Sequence, residues 1–172
     1  TIGIPQDLNS LDPNKAVGSG TLEILFNIYE GLYKPDSDGN LIPAVASDYT
    51  VSDDKKVYTF TLRDGIQFHN GNPVTVEDVK YSIEKCAGNG TGEPLISAFS
   101  NIESVETPDD KTIVISLTEP EDDFLALVST VNAAIVPADV DDLETNPVGT
   151  GPYKFVSRSL QENVVLKKFD AY

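Results

Sequence analysis

The sequence predicts an α/β fold with mixed sheets, in which an outer unit is interrupted by an inserted one. Three observations lead there. Aromatic and β-branched residues alternate from Val57 to Leu62, with Tyr58, Phe60 and Leu62 on one face and Val57, Thr59 and Thr61 on the other, which is a strand period. Thr75-Val76-Glu77-Asp78 has the form of a capping box and opens a run with Val76, Val79, Ile83 and Cys86 on one helical stripe. Strand-like segments stand at both ends of the chain, around a middle of different character. A sheet begun at Thr1 and resumed at Tyr153 makes a discontinuous domain, interrupted by residues 42–146.

In chain order, Thr1–Pro5 alternates as a short opening strand, and Gln6–Gly20 is a loop with the turn residues Asp12-Pro13-Asn14 and the triplet Gly18-Ser19-Gly20. Thr21 is the expected N-cap of a helix running to about Tyr29, with Leu22, Leu25, Phe26 and Tyr29 at helical spacing and Gly31 as its stop. Leu32-Tyr33 restarts as a strand before the turn Asp36-Ser37-Asp38-Gly39. The Val57–Leu62 strand lies between the turns Asp53-Asp54-Lys55 and Asp64-Gly65. Gly88–Gly92 ends the helix opened at Thr75. Ile102–Thr107 and Thr112–Leu117 form a hairpin about Pro108-Asp109-Asp110, and a further helix is expected near Phe124–Val128. Asn146–Pro152 is turn-rich and precedes two strands, Tyr153–Val156 and Val164–Leu166.

Composition narrows the function. Of 172 residues, 12 are Lys or Arg and 28 are Asp or Glu, a net charge of −16. Too little basic charge is present for a broad phosphate-binding face, so nucleic acid is excluded as a partner. An anionic membrane surface repels such a chain. The longest uncharged stretch, Phe124–Ala138, is shorter than the roughly 20 apolar residues of a span and reads as buried core. A single cysteine, Cys86, gives no disulfide framework, and a single histidine, His69, gives no His-rich metal site. Thr1 follows no charged-then-apolar leader, so the chain reads as cropped or mature, with any signal peptide gone.

Candidate chemistry reduces to architecture. Gly149-Thr150-Gly151 is followed by Pro152 and a strand, where a nucleotide loop needs a helix. Gly88-Asn89-Gly90-Thr91-Gly92 lacks the Lys and Ser/Thr of a phosphate loop and reads as a helix exit, and Asn89-Gly90-Thr91 matches a glycosylation acceptor. Asp36-Ser37-Asp38-Gly39 has its glycine too early for a calcium loop and no Glu at position twelve, and reads as a solvated turn. Glu121-Asp122-Asp123 and Asp139 with Asp141-Asp142 could supply a glycosidase dyad, but they stand in loops and at helix starts, where carboxylates complement the helix dipole. His69, in Phe68-His69-Asn70-Gly71, has no marked nucleophile partner. Cys86 on its apolar stripe reads as a buried structural thiol. The absence of a catalytic constellation favours a binding protein over an enzyme.

The segments also form an ordered set: Leu11-Asp12-Pro13; Asn27-Ile28-Tyr29-Glu30-Gly31-Leu32; Pro43-Ala44-Val45-Ala46; Tyr58-Thr59-Phe60-Thr61-Leu62-Arg63-Asp64-Gly65; Phe68-His69-Asn70-Gly71-Asn72-Pro73-Val74-Thr75 with Glu77-Asp78-Val79; Pro147-Val148-Gly149-Thr150-Gly151-Pro152-Tyr153; and Phe169-Asp170-Ala171-Tyr172. In this order and spacing the chain resembles the bacterial family 5 extracellular solute-binding proteins, the dipeptide, oligopeptide and nickel receptors of ABC importers. The resemblance covers essentially the whole chain and implies the N-terminal portion of a periplasmic-binding-protein-like type II (class C) fold. It implies that residues 1–41 and 147–172 are segments of a first lobe and residues 42–146 an inserted accessory domain, with the second lobe absent.

By that resemblance the function is capture of di- or oligopeptides between two lobes and delivery to a membrane permease, with no catalytic residue, metal or cofactor. The loop between the Leu-Asp-Pro motif and the first helix, Val17, Gly18, Ser19, Gly20 and Thr21, is implied to bond the peptide main chain. Glycine lets another backbone approach closely. The other reading of Gly18-Ser19-Gly20 is a plain loop before an N-cap. Glu93–Phe99 is a second candidate wall of the pocket, and Gly149–Tyr153 a structural turn. The implied partners are a peptide and an ABC-transporter permease. The implied setting is a monomer outside the cell or in the periplasm, as a lipoprotein in full-length form. Rival readings are a nickel or sugar receptor of the same family, a carboxylate-dependent hydrolase and a stand-alone interaction module.

Overall fold

The computed structural model describes residues 7–172, so the strand expected over Thr1–Pro5 lies outside the described residues. The centre is an antiparallel sheet of four strands, β3 (Ala46–Val51), β4 (Val57–Leu62), β5 (Ile102–Glu106) and β6 (Thr112–Leu117), in the order β3-β4-β6-β5. The alternation in β4 decides its orientation: Tyr58, Phe60 and Leu62 are all buried, opposite Ile113 and Ile115 of β6. Asp53-Asp54-Lys55 turns β3 into β4, with Lys55 at φ 59°, and Asp109 closes the β5–β6 turn by accepting the Lys111 amide at 2.9 Å. Strand β3 was not expected from the sequence, because Ser47, Asp48 and Thr50 are exposed and a bulge between Ala46 and Asp48 interrupts its period.

Helix α2 (Val76–Cys86) covers this sheet. The capping box is present: Thr75 Oγ1 accepts the Asp78 amide at 3.2 Å, and Asp78 Oδ2 accepts the Thr75 amide at 3.0 Å. Its stripe of Val76, Val79, Ile83 and Cys86 is buried as the spacing requires. Aromatic rings fill the end of this core, Phe124 standing 4.8 Å from Tyr58 and 5.7 Å from Phe99 between ring centres. The uncharged stretch divides into α3 (Phe124–Leu127), a 3-10 turn at Val131–Ala133 and extended chain. Among the described residues no helix is long and apolar enough to cross a membrane.

Two small hairpins flank the sheet, β1 (Tyr33–Pro35) with β2 (Leu41–Pro43), and β7 (Tyr153–Ser159) with β8 (Asn163–Lys168). Helix α1 is Ser19–Leu25, shorter than expected and started earlier. Gly18, not Thr21, is the N-cap, with φ −85° and ψ 141° and no side-chain cap bond. The Thr21 hydroxyl is unavailable for capping because it accepts the Asn9 amide at 3.2 Å. Gly31 does not stop this helix, which ends at Leu25. A β-carbon on Gly31 would lie 2.1 Å from the carbonyl oxygen of Val128, so glycine is required there by a close chain crossing.

The crossing belongs to a hub at residues 27–32. Each carbonyl but one in this turn accepts an amide from a distant segment: Asn27 from Tyr153 (3.0 Å), Ile28 from Gly151 (2.9 Å), Glu30 from Ile135 (2.9 Å), Gly31 from Val45 (3.3 Å) and Leu32 from Ala46 (3.0 Å). Tyr29 supplies the side chain instead, fully buried and donating to Leu11 O at 3.1 Å. Burial, reinforced by the charges of Asp12 and Glu144, raises its phenol far above the usual range, so it stays a donor.

Candidate functional site

The resemblance motifs meet at this hub. Gly149 passes so near that a β-carbon there would sit 2.1 Å from Ile28 O. The His69 amide donates to Gly149 O at 2.9 Å, its Nε2 lies 2.9 Å from Gly151 O, and its Nδ1 lies 3.4 Å from the Gly149 amide. Both ring contacts are satisfied by a neutral imidazole protonated at Nε2. Burial lowers the His69 pKa, against the opposing bond to Gly151, and Phe169 sets its ring edge-on at 4.9 Å. His69 is therefore a structural clasp, and of the structural turn the sequence predicts over Gly149–Tyr153, the last residue, Tyr153, is instead the first of β7.

Buried Glu30 completes the junction. It accepts Lys34 Nζ and Tyr172 OH, each at 2.7 Å, and Thr150 Oγ1 at 3.3 Å. Burial acts to lower the Lys34 ammonium, but its bonds to Glu30 and Tyr172 prevail and raise it. The Lys34 ammonium and the Glu30 carboxylate offset one another at this junction.

The candidate ligand edge, Val17–Thr21, lies on another side. It is built from a loop closed beneath it by amide side chains. Asn9 Nδ2 donates to Lys15 O at 2.9 Å while its Oδ1 accepts the Val17 amide at 3.2 Å. Asn132 Nδ2 donates to Pro13 O at 2.8 Å and Ala16 O at 3.0 Å. Asp12 Oδ1 accepts the Asn14 amide at 2.9 Å, which makes Leu11-Asp12-Pro13-Asn14 a side-chain-closed turn. Above this framework Val17 is 80% exposed and Ser19 is exposed, with Gly18 and Gly20 half-buried. Thr21 is buried and points inward to Asn9. The amides of the first helical turn have no partner within α1, so this edge offers main-chain donors.

The edge is convex. Two open grooves mark the surface, one between Arg63, Gly65, Val74 and Lys111, the other between Phe26, Lys34, Ile42 and Pro152, and neither is lined by Val17–Thr21. The second candidate wall, Glu93–Phe99, leaves Leu95 exposed, anchored by its amide to Cys86 O at 2.8 Å. Burial pushes the Cys86 thiol up to about 12, and its Sγ donates to Asn132 O at 3.1 Å.

The acidic groups close turns. Asp142 accepts the amides of Glu144 (3.0 Å) and Thr145 (3.2 Å), and Glu121 accepts the Asp123 amide at 3.1 Å. Among the described residues no group of three His, Cys, Asp or Glu side chains could hold a metal ion. Sequence reasoning missed Asn9, Asn132 and Arg158. Arg158 pairs with Asp7 at 3.2 Å and donates to Leu8 O, which ties β7 to the start of the loop. The available signal was Asn132 itself, a polar residue inside an apolar stretch.

Residues 40–172 match the family model described as "Bacterial extracellular solute-binding proteins, family 5 Middle". The glutathione-binding protein GsiB of Pectobacterium atrosepticum is 30% identical over 99% of the chain and 34% of its own length. The structure is similar to that of a periplasmic binding protein, AgaA, from A. tumefaciens R10 in complex with agropinic acid, with a TM-score of 0.89, 33% identity and coverage of 97% of this chain and 35% of that one. It is also similar to the periplasmic binding protein DppA of Helicobacter pylori in complex with the peptide STSA, with a TM-score of 0.85, 30% identity and coverage of 97% and 38%. The chain thus spans about a third of the length of these relatives. It belongs to the bacterial extracellular solute-binding proteins of family 5.

Proposed function

We propose that this family 5 chain supplies one edge of a peptide-capturing receptor that serves an ABC importer. The Val17–Thr21 edge would bond the main chain of a di- or oligopeptide, and the rest of the clamp would come from the remainder of a longer protein. Residues 1–41 and 147–172 would belong to one lobe and residues 42–146 to an accessory domain inserted in it. The whole protein would act as a monomer outside the cell or in the periplasm, held by a lipid anchor, and would hand its peptide to a membrane permease without making or breaking a bond. The observation that carries this reading is the Val17–Gly20 backbone, presented outward on a loop that Asn9 and Asn132 hold from beneath. Recognition through main-chain groups is insensitive to side-chain identity and suits varied peptides. The bound peptide in the Helicobacter pylori relative and the glutathione of GsiB support the peptide class, while the agropinic acid relative sets the rival class.

A thermal-shift screen of the full-length protein tests it, with defined di- to pentapeptides beside agropinic acid, nickel and sugars. Peptides are expected to raise the melting temperature through linkage. Stabilisation by a non-peptide alone overturns the peptide assignment. A sharper test is Ser19→Pro in the full-length protein. Ser19 is the first residue of α1, where proline is tolerated because that amide has no partner inside the helix. If a peptide uses the Ser19 amide, affinity falls about tenfold with an unchanged melting temperature, as for one lost hydrogen bond.

A further inference from the structure

We infer that Asn132 is a positioning residue for the Val17–Thr21 edge, so that the segment carrying Asn132 sets the shape of a surface it does not itself form. The inference rests on the reading of that edge as a ligand contact. Four bonds converge on Asn132. Its Nδ2 donates to Pro13 O (2.8 Å) and Ala16 O (3.0 Å), the two ends of the turn that leads into Val17. Its main-chain carbonyl accepts Asn14 Nδ2 at 3.1 Å and Cys86 Sγ at 3.1 Å. One residue therefore grips the loop by its side chain and is gripped by the loop in return.

The surroundings make this arrangement rigid. Cys86 and Ala133 are fully buried and Val131 nearly so, which leaves the Asn132 side chain few other partners. A carboxamide is the group that fits: it presents two donors from one nitrogen to two carbonyls. Aspartate has the same shape and no donor, so it would set its charge against both carbonyl oxygens. Asn9 acts from the opposite side on Lys15 O and the Val17 amide, and it is the exposed half of the same clamp. Without the Asn132 half, the 13–16 turn keeps only its outer ties to Asp12 and Asn9 and loses the inner ones at Pro13 O and Ala16 O, and Val17–Gly20 loses its fixed direction.

The test uses the full-length protein with Asn132→Asp, and Asn14→Asp as the milder variant from the loop side. Hydrogen exchange without any ligand is the first readout. Amides of residues 15–21 are expected to exchange about tenfold faster in Asn132→Asp, while those of β4 and β6 keep their wild-type rates. Unchanged rates at 15–21, or an equal rise throughout the sheet, overturn the inference. Should Asn132→Asp fail to fold, the same criterion applies to Asn14→Asp. The second readout is affinity for the peptide that most stabilises the wild type in the screen above. Weakened binding at an unchanged melting temperature supports positioning, and wild-type affinity in a variant with a loosened loop overturns it. If no peptide binds the wild type while the exchange effect is present, the peptide reading fails and the positioning of the loop stands.

Discussion

The central sheet and the β7–β8 hairpin are both antiparallel, yet they treat their apolar residues in opposite ways. In the sheet, Tyr58 and Phe60 stand opposite Ile115 and Ile113, all four buried, and α2 packs on β5 and β6. In the hairpin, Val156 is 53% exposed and Leu160 72%, while Phe155, Val164 and Leu166 are only partly buried against the core. Alternation is a property of a strand, but closure needs a second layer. A two-stranded ribbon is marginal alone. This one is held at its ends instead, by Tyr153 on Asn27, Phe169 on Pro152, and Arg158 on Asp7 and Leu8.

The largest expected effect breaks the comparison if it fails. Phe60→Ala opens a cavity in a closed core and should cost about 3–5 kcal/mol, whereas Leu160→Ala should stay within about 0.5 kcal/mol. Denaturant midpoints of the two variants check this, and equal losses would mean that the hairpin is as closed as the sheet. Next, Thr75→Ala removes the cap that starts α2 over the sheet and should cost about 1 kcal/mol in the same assay. A cost near zero would show that packing, not the capping box, decides where α2 begins.

A graded pH effect is expected at the clasp between the two regions. Burial lowers the His69 pKa below its unfolded value of 6.5, so the folded chain prefers the neutral ring. The unfolded state then binds the extra proton first. The stabilisation is complete above 6.5 and is lost as pH falls toward the lower folded value. The Glu30 carboxylate opposes this shift and Lys154 reinforces it. Unfolding free energies of the wild type and His69→Gln, measured from pH 7.5 downward, should converge as the proton binds. Parallel curves would mean that the clasp does not sense the proton.

Much of the fold was legible because it is written in short-range pattern. The limits of β4, the stripe of α2, the capping box and the β5–β6 turn each depend on residues within a few positions of one another. Helix α1 was misjudged because Thr21 looks like a cap, and only the approach of Asn9 shows that its hydroxyl is engaged elsewhere. Strand β3 hid behind a bulge and exposed polar residues. At the candidate edge the sequence marked Val17–Thr21 through resemblance, and it marked neither Asn9 nor Asn132, whose partners lie beyond any local window.

By itself the sequence determined the secondary-structure periods, the core faces of the main strands and α2, the net charge of −16, and the ordered motifs that match its family. Only the tertiary structure decided why Gly31 and Gly149 must be glycine, why His69 is a clasp rather than a base, and why Asn132 matters to a loop 116 residues away. The physical reason is range. A strand or helix period repeats every two to four residues, whereas a chain crossing or a shared hydrogen bond exists only after distant segments have packed together.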